Sequence, residues 1–247
     1  MPTVALLADP PVEGVLPLLE EILPSGTAPA LYAAMLVDVA TAVQNGAGEL
    51  LVNYRPDDQV EAAVDSRSRI ASVLDEQLPR PDEVRYEVQV GESFAARAGN
   101  TATHLLGTEG VDSVVLVEPT AAFLSREILG TITMKLRTRE AVIGPATRGR
   151  IALVGLREPI DFEAAFEPPA IETMVTRADD ADLEIDFTEL IPVVESPSDL
   201  LTAVTMVRAR VRAGRNVPPQ LAAFVAEHGL TARSDDGSLA VRADPDS

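Results

Sequence analysis

The clearest indication of the fold is the sequence Val114-Val115-Leu116-Val117-Glu118-Pro119-Thr120. Four apolar residues, three of them β-branched, stop abruptly at polar residues and a proline, a pattern typical of a buried parallel strand. Two more strand-like runs follow after a helical segment, at Ala141–Ala146 and Arg150–Gly155. Ligands of open α/β sheets bind beyond the carboxyl ends of the strands, so we expect the residues after Val117 to border a site.

Outward from this stretch, strand-like and helix-like segments alternate over most of the chain, which predicts a mostly parallel sheet with helices on both faces. The predicted strands are residues 3–8, 49–54, 83–90, 114–117, 140–144, 150–154 and 183–190. The predicted helices are residues 29–43, 56–74, 94–106, 125–137, 162–166, 171–177 and 196–214.

The composition changes after Arg215. We interpret residues 1–214 as one α/β domain and residues 215–247 as a small appendage with a frayed acidic end. Pro218-Pro219 begins a predicted short helix that runs to His228. A β-hairpin turning at Asp236-Gly237 is predicted to follow it.

The chain is strongly acidic, with 39 acidic and 20 basic residues and a formal net charge of -19. It contains a single lysine, Lys135, and no cysteine or tryptophan. This balance is typical of a salt-adapted cytoplasmic protein, and it argues against nucleic-acid binding, which requires a basic surface. Without cysteine, neither a disulfide nor a thiolate metal site is available. The sequence predicts neither a membrane span nor a signal peptide.

Six short motifs in order give the chain a family resemblance. They are Pro11-Val12-x-Gly14, Leu31-Tyr32-x-x-Met35-Leu36-x-Asp38, Gly91-Glu92-x-x-x-x-Arg97, Val114–Val117, Gly144-Pro145-Ala146 with Leu153–Leu156, and Ser196-Pro197-x-Asp199-Leu200. Over residues 3–205 the chain resembles short GT-A-fold, glycosyltransferase-like proteins of unknown substrate, relatives of sugar-nucleotide transferases and archaeal 2-phospho-lactate guanylyl transferases. The resemblance implies a three-layer nucleotide-diphospho-sugar transferase fold.

The chain departs from the family pattern at the motifs that carry the chemistry. Pro17-Leu18-Leu19 stands where the resemblance implies a cationic phosphate loop, and Thr120 stands where it implies a metal-binding aspartate. An acidic Gly-Gly motif is replaced by Arg148-Gly149-Arg150, and a late motif with two carboxylates keeps one, Glu195. Since Mg²⁺ and Mn²⁺ prefer charged oxygen ligands, we expect a divalent cation only if the site is still active.

The candidate residues for binding a nucleotide or another anion are Asp9, Gly14, Glu92, Arg97, Arg148 and Arg150. The two arginines on the Gly149 loop either bind an anion bidentately or pair with neighbouring carboxylates. Glu118 is either a metal ligand or a solvated loop carboxylate. Glu195 is either a metal ligand or a surface charge at a helix N-terminus. His104 and His228 have no third ligand in the sequence pattern that would support a metal site.

Together these observations predict a GT-A-like protein that is catalytically degenerate and acts by binding a nucleotide, a nucleotide-sugar or a protein partner. One alternative is a live glycosyltransferase or nucleotidyltransferase with an altered, metal-independent site. A third, structural alternative is a homo-oligomer-forming module that uses the appendage.

Overall fold

A seven-stranded sheet forms the centre of the molecule. The computed structural model describes residues 1–46, 48–235 and 238–243. The strand order is β3-β2-β1-β4-β6-β5-β7, and a separate pair, β8-β9, lies near the C-terminus. The strands are β1 (Thr3–Ala8), β2 (Glu49–Tyr54), β3 (Arg85–Val88), β4 (Val114–Val117), β5 (Ala141–Pro145), β6 (Ile151–Leu156), β7 (Ile185–Phe187), β8 (Leu230–Asp235) and β9 (Ser238–Ala243).

The predicted α/β sandwich with a mostly parallel sheet is confirmed. Only β6 runs antiparallel to its neighbours in the large sheet, with Val117 of β4 opposite Leu153 of β6. Because β6 runs the other way, its amino end reaches the edge at which β1 and β4 finish. This reversal brings Arg150, the residue before β6, to the same edge as Glu118.

Helices cover both faces of the sheet. Side chains from α2, α3 and α5 build the core on one face, and those of α4 and α6 build it on the other. The helices are α1 (Pro17–Glu20), α2 (Thr27–Asn45), α3 (Ser66–Asp75), α4 (Phe94–Thr103), α5 (Arg126–Lys135), α6 (Ala170–Asp180), α7 (Pro197–Arg212) and α8 (Pro219–Glu227). By length and composition α2 is the one described helix that could cross a membrane, but 67% of its most apolar window is buried inside the protein, as in a core helix.

Two predicted helices are wrong in extent. The helix expected over residues 56–74 is a 3₁₀ turn at Asp57–Gln59 followed by α3, because Asp65 caps α3 through the Ser68 N–H at 2.7 Å and fixes its start. The helix expected over residues 162–166 is a turn, in which Ala164 has a left-handed φ of 56°. Strands β3 and β7 are also shorter than the predicted runs 83–90 and 183–190.

The C-terminal segment packs onto the α/β body. Asp38, in the middle of α2, accepts hydrogen bonds from the backbone N–H groups of Gln220 and Leu221 at 2.9 and 2.8 Å. Leu221 and Leu230 share a core with residues of α1, α2 and α7. Strands β8 and β9 form the predicted antiparallel hairpin. Its proposed turn at Asp236-Gly237 and the proposed frayed end, residues 244–247, lie outside the described residues, and the domain boundary at residue 214 stays a prediction.

Candidate functional site

The candidate site lies at the point in the sheet where successive strands stop being added on one side of β1 and begin on the other. From β1 the sheet continues through β2 and β3 on one side and through β4 on the other. Such a switch point opens a crevice beyond the carboxyl ends of the two central strands, where ligands of α/β proteins bind. Asp9 follows β1 directly and Glu118 follows β4 directly, so the two carboxylates flank this crevice.

A cleft of about 360 Å³ occupies the crevice. Its charged lining consists of the carboxylates of Asp9, Glu118 and Glu195 and the guanidinium of Arg150. The remaining walls are aromatic and apolar: Val15, Leu16, Pro17, Leu18, Tyr32, Phe94, Ile151 and Phe166. The loop that replaces the cationic phosphate loop of the resembling proteins therefore contributes apolar side chains to the cleft.

Arg150 makes five hydrogen bonds, as many as a guanidinium has N–H groups. It bonds both oxygens of Asp199, at 2.8 and 3.0 Å, and Oε2 of Glu195, at 2.6 Å. Its other two bonds go to the carbonyl and hydroxyl oxygens of Thr147. No N–H group of Arg150 is left for a ligand, so in this arrangement it acts as an internal counter-ion.

Asp199 is fixed from the other side by the start of α7. Ser196 and Asp199 form a capping box, in which each side chain accepts from the other's backbone N–H. Burial alone would raise the pKa of Asp199, but hydrogen bonds from Arg150 and Ser196 outweigh burial and lower it. For Arg150, burial would lower the pKa, whereas the bonds and charges of Asp199 and Glu195 raise it. Both groups are therefore held in their charged forms.

Glu195 is also fully engaged. Its Oε1 accepts from the hydroxyl of Thr120 at 3.0 Å, while its Oε2 accepts from Arg150. The backbone carbonyl of Thr120 accepts from the N–H of Val194 at 2.9 Å, which joins the loop after β4 to the segment before α7. The residue that replaces the expected metal-binding aspartate thus acts as a hydrogen-bond donor to Glu195.

Glu118 differs from its neighbours because nothing in the described part of the chain hydrogen-bonds or ion-pairs with its side chain. It is half-buried at the cleft wall. Burial, together with the negative charges of Glu195 and Asp9, raises its pKa to about 8 against an opposing contribution from Arg97. Glu118 therefore holds a proton at neutral pH, unlike an exposed glutamate.

Asp9 is held at the opposite wall. The guanidinium of Arg55, one residue after β2, pairs with the carboxylate of Asp9 at 3.1 Å. The backbone N–H of Asp9 donates to the hydroxyl of Tyr32 at 2.9 Å. Burial and the charge of Asp9 raise the pKa of Tyr32 well above its ordinary value, so this phenol stays neutral.

The other candidates lie outside the cleft lining. Arg97 is buried on α4 and bonds the side-chain carbonyls of Gln89 and Gln59 at 2.7 and 3.1 Å. The Gly14 N–H donates to the carboxylate of Glu20 at 2.7 Å. Arg148 is exposed and reaches Ser198 at 2.8 Å. Glu92 is exposed, and its side chain bonds no described residue.

Sequence reasoning missed the partners that define the site. Asp199 was recognised only as part of a helix start, yet its buried carboxylate is the principal partner of Arg150. Arg55 stands one residue after β2, so the same strand-end rule that points to Asp9 and Glu118 would have found it. Phe94 and Phe166 carry no such signal, because their approach depends on how the 157–169 segment folds over α4.

One cluster of possible metal ligands appears elsewhere in the described chain: Glu87, His104 and Glu109. It supplies the third ligand that the sequence pattern did not show for His104. Arg85 already forms ion pairs with both glutamates of the cluster, Glu87 and Glu109, and lies 2.9 Å from Glu109. Both carboxylates of the cluster are thus already paired with an internal cation.

Comparison with solved structures confirms the fold. A protein from Desulfovibrio desulfuricans G20, named a "putative nucleotide-diphospho-sugar transferase", superposes with a TM-score of 0.74 at 19% identity, over 92% of this chain and 96% of that chain. A CMP:2-keto-3-deoxy-manno-octonic acid synthetase complexed with CTP gives 0.51 at 13% identity, over 86% and 98%. The 4-diphosphocytidyl-2C-methyl-D-erythritol synthase of Anaerococcus prevotii DSM 20548 gives 0.50 at 12% identity, over 84% and 99%.

At sequence level, no curated protein matches the chain. A family profile does match: DUF2064, described as "Uncharacterized protein conserved in bacteria", covers residues 38–169, more than half of the chain. The matched segment includes Glu118 and Arg150 and ends before Glu195. The chain therefore belongs to the DUF2064 family, and its fold is that of the nucleotide-diphospho-sugar transferases.

Proposed function

We propose that this chain is a GT-A-like binding protein that has lost metal-dependent transfer of sugars or nucleotides. The observation that carries the proposal is the saturation of Arg150, whose five N–H groups are all bonded within the protein. Its guanidinium pairs with both Glu195 and Asp199, so a fixed organic cation lies among the carboxylates that a metal would need. The acidic composition supports a salt-adapted, cytoplasmic setting as part of the same proposal.

The residues at the cleft do not fit a Mg²⁺ or Mn²⁺ ion. These ions prefer ionised oxygen ligands. Thr120 is neutral, both oxygens of Glu195 are bonded, and the carboxylate of Asp9 is paired with Arg55. The proposed function therefore involves no metal-dependent step.

The cleft also offers little to a diphosphate. Arg150 has no free donor, and the Gly14 N–H is bonded to Glu20. The structurally similar synthetase was solved with CTP, and a nucleotide remains a candidate ligand for this chain on that ground. Any nucleotide would have to find its positive partner outside the cleft lining, at the exposed Arg148.

A second candidate function is metal-independent transfer. It is favoured by one observation, the protonated Glu118 at the cleft wall, because an acid with a pKa near the working pH is suited to general acid–base catalysis. For this function Arg150 would have to leave Glu195 or Asp199 to meet a leaving group.

The test is calorimetric titration in KCl with UDP, GDP, CTP and their sugar forms, with and without Mn²⁺, alongside an assay for hydrolysis or transfer. We expect no Mn²⁺-dependent turnover. Turnover that needs Mn²⁺ and disappears in Glu195→Gln would overturn the proposal. Glu184→Gln is the matched control, since Glu184 also pairs with an arginine, Arg139, but at the surface.

A further inference from the structure

We infer that the cleft binds an organic cation with an apolar body, whose charge lies against Glu118 and whose body lies against the rings of Phe94 and Phe166. The inference rests on the proposed binding role of the cleft and names the chemistry of its ligand.

Among the described residues, Glu118 is the one carboxylate of the cleft lining that has no cationic partner. Asp9 has a cation in Arg55 and Glu195 has one in Arg150. Glu118 has no ion pair or hydrogen bond from the described residues. The charged groups that act on it are Glu195, Asp9 and Arg97, and the two carboxylates together oppose its ionisation. A ligand with one positive charge would supply the missing partner.

Phe94 and Phe166 form an aromatic wall of the cleft. Phe94 and Phe166 meet edge to face with ring centroids 4.8 Å apart, and both are half-buried. Both rings line the cleft and also a groove of about 840 Å³ on their other side. A cation close to an aromatic face gains about 0.5–2 kcal/mol. Rings beside an unpartnered carboxylate are therefore suited to an alkylammonium group.

The groove next to the two rings is also lined by aromatic and acidic residues. It is lined by Phe162, stacked on Phe166 at 5.9 Å, and by the acidic residues Asp161, Glu163 and Glu167. Arg177 pairs with Asp161 at 3.0 Å, whereas Glu167 is exposed and has no ion pair among the described residues. An elongated ligand could thus pass over the rings and still meet negative charge.

A divalent metal is the competing cation, and the geometry disfavours it. Among the described residues, the ligand atoms that come close enough to share an ion are those of Glu87, His104 and Glu109, not those of Asp9, Glu118 and Glu195. A metal at Glu118 would also leave the aromatic wall without a partner. The cleft therefore favours a bulky, weakly hydrated cation over a small, strongly hydrated one.

The probe is choline, and its control is 3,3-dimethylbutan-1-ol, which has the same shape without the charge. Binding to the full chain is measured by calorimetry and by saturation-transfer NMR of the ligand methyl groups, at a pH above the pKa of about 8 of Glu118. We expect choline to bind at least about tenfold more tightly than the alcohol, a difference equal to one cation–π contact plus part of an ion pair.

Two variant pairs locate the site. Glu118→Gln is expected to weaken choline binding about tenfold, whereas Glu227→Gln, which removes the same charge from the exposed end of α8, should not. Phe94→Leu should weaken binding several-fold, whereas Phe187→Leu, at an exposed phenylalanine outside the cleft, should not. Thermal melts check folding, and Glu118→Asp, which keeps the charge, should retain part of the affinity.

The outcomes separate this inference from the proposed function. Equal binding of choline and the alcohol, or equal losses in Glu118→Gln and Glu227→Gln, would overturn the organic-cation inference. Binding of Mn²⁺ that Glu118→Gln abolishes would replace it with a metal site and would also count against the proposed function. Binding of CTP without any binding of choline would leave the binding role standing and remove the inference.

Discussion

Arg150 and Asp199 form a two-bond guanidinium–carboxylate pair, at 2.8 and 3.0 Å, between residues 49 positions apart. The pair joins the amino end of β6 to the first turn of α7. Two parallel N–H···O bonds fix both position and orientation. The Asp199 side chain is 6% exposed, so the pair lies largely out of water. It therefore fixes Arg150 at the cleft wall and places a positive charge between two carboxylates.

Removing this guanidinium should destabilise the protein and expose a latent metal site. Arg150→Ala leaves Asp199 buried without its counter-ion, and breaking such a pair costs about 3–5 kcal/mol. Glu195 and Asp199 would then be free to share a cation. We expect Mn²⁺ to raise the melting temperature of Arg150→Ala but not that of the wild type, as followed by thermal unfolding.

The control for this experiment is Arg177→Ala, which breaks a surface pair with Asp161. It should cost less than about 1 kcal/mol. Mn²⁺ should not rescue it. If Arg150→Ala is as stable as the wild type, or if Mn²⁺ does not raise its melting temperature, the guanidinium does not take the place of a metal ion.

Glu118 should make the protein less stable as the pH rises. Its pKa is raised from an ordinary 4.5 to about 8, so the folded chain keeps a proton that the unfolded chain has released. The free energy of unfolding therefore falls between these two pH values. Glu118→Gln cannot ionise, and it should become more stable relative to the wild type across this window, by on the order of a few kcal/mol.

Urea unfolding of both proteins at several pH values across the window measures this difference. Glu227→Gln provides the comparison, because its carboxylate is exposed and should leave the pH profile unchanged. A constant stability difference between Glu118→Gln and the wild type would mean that Glu118 titrates near its ordinary pKa.

Much of the fold was predictable because local patterns agree with the tertiary structure. The run Val114–Val117 is fully buried, and α7 begins at Pro197, next to the predicted start of the helix at residue 196. The prediction failed at residues 56–74, where Asp57 and Asp65 are both helix-capping residue types and both accept from the first turn of α3, from the N–H groups of Ser66 and Ser68. Sequence alone does not show which of two such caps starts the helix, since the choice depends on how the segment packs.

The site was predictable only in part. The rule that ligands meet strand ends points to Asp9 and Glu118, and the resemblance points to Arg150 and Glu195. Whether Arg150 binds an anion or a carboxylate depends on Asp199, which reaches it only after the reversal of β6 and the start of α7 are in place. Such a long-range pairing has no local signature.

Asp38 should be the main attachment of α8 to the body of the protein. Its carboxylate accepts from the N–H groups of Gln220 and Leu221, which the first turn of α8 cannot bond internally. Asp38→Ala should cost about 1–3 kcal/mol for two orphaned donors. Hydrogen exchange should show faster opening of residues 219–227. Asp38→Asn keeps an acceptor and should retain most of the protection.

The pKa of Asp38 predicts how the cost of Asp38→Ala depends on pH. Burial raises it to about 6 although two hydrogen bonds oppose the rise, so the wild type loses stability as the pH increases from 3.8 to about 6. The cost of Asp38→Ala should accordingly be larger at the low end of this window. Unchanged exchange in α8 would mean that apolar contacts of Leu221 and Phe224 hold the helix alone.

Salt should stabilise the whole chain through its net charge of -19. Repulsion among the surplus carboxylates weakens the compact state, and the screening length falls from about 10 Å at 0.1 M to about 3 Å at 1 M. We expect the melting temperature to rise steeply with KCl over this range and then to level off. A melting temperature that is independent of KCl would show that the acidic surface is not an adaptation to salt.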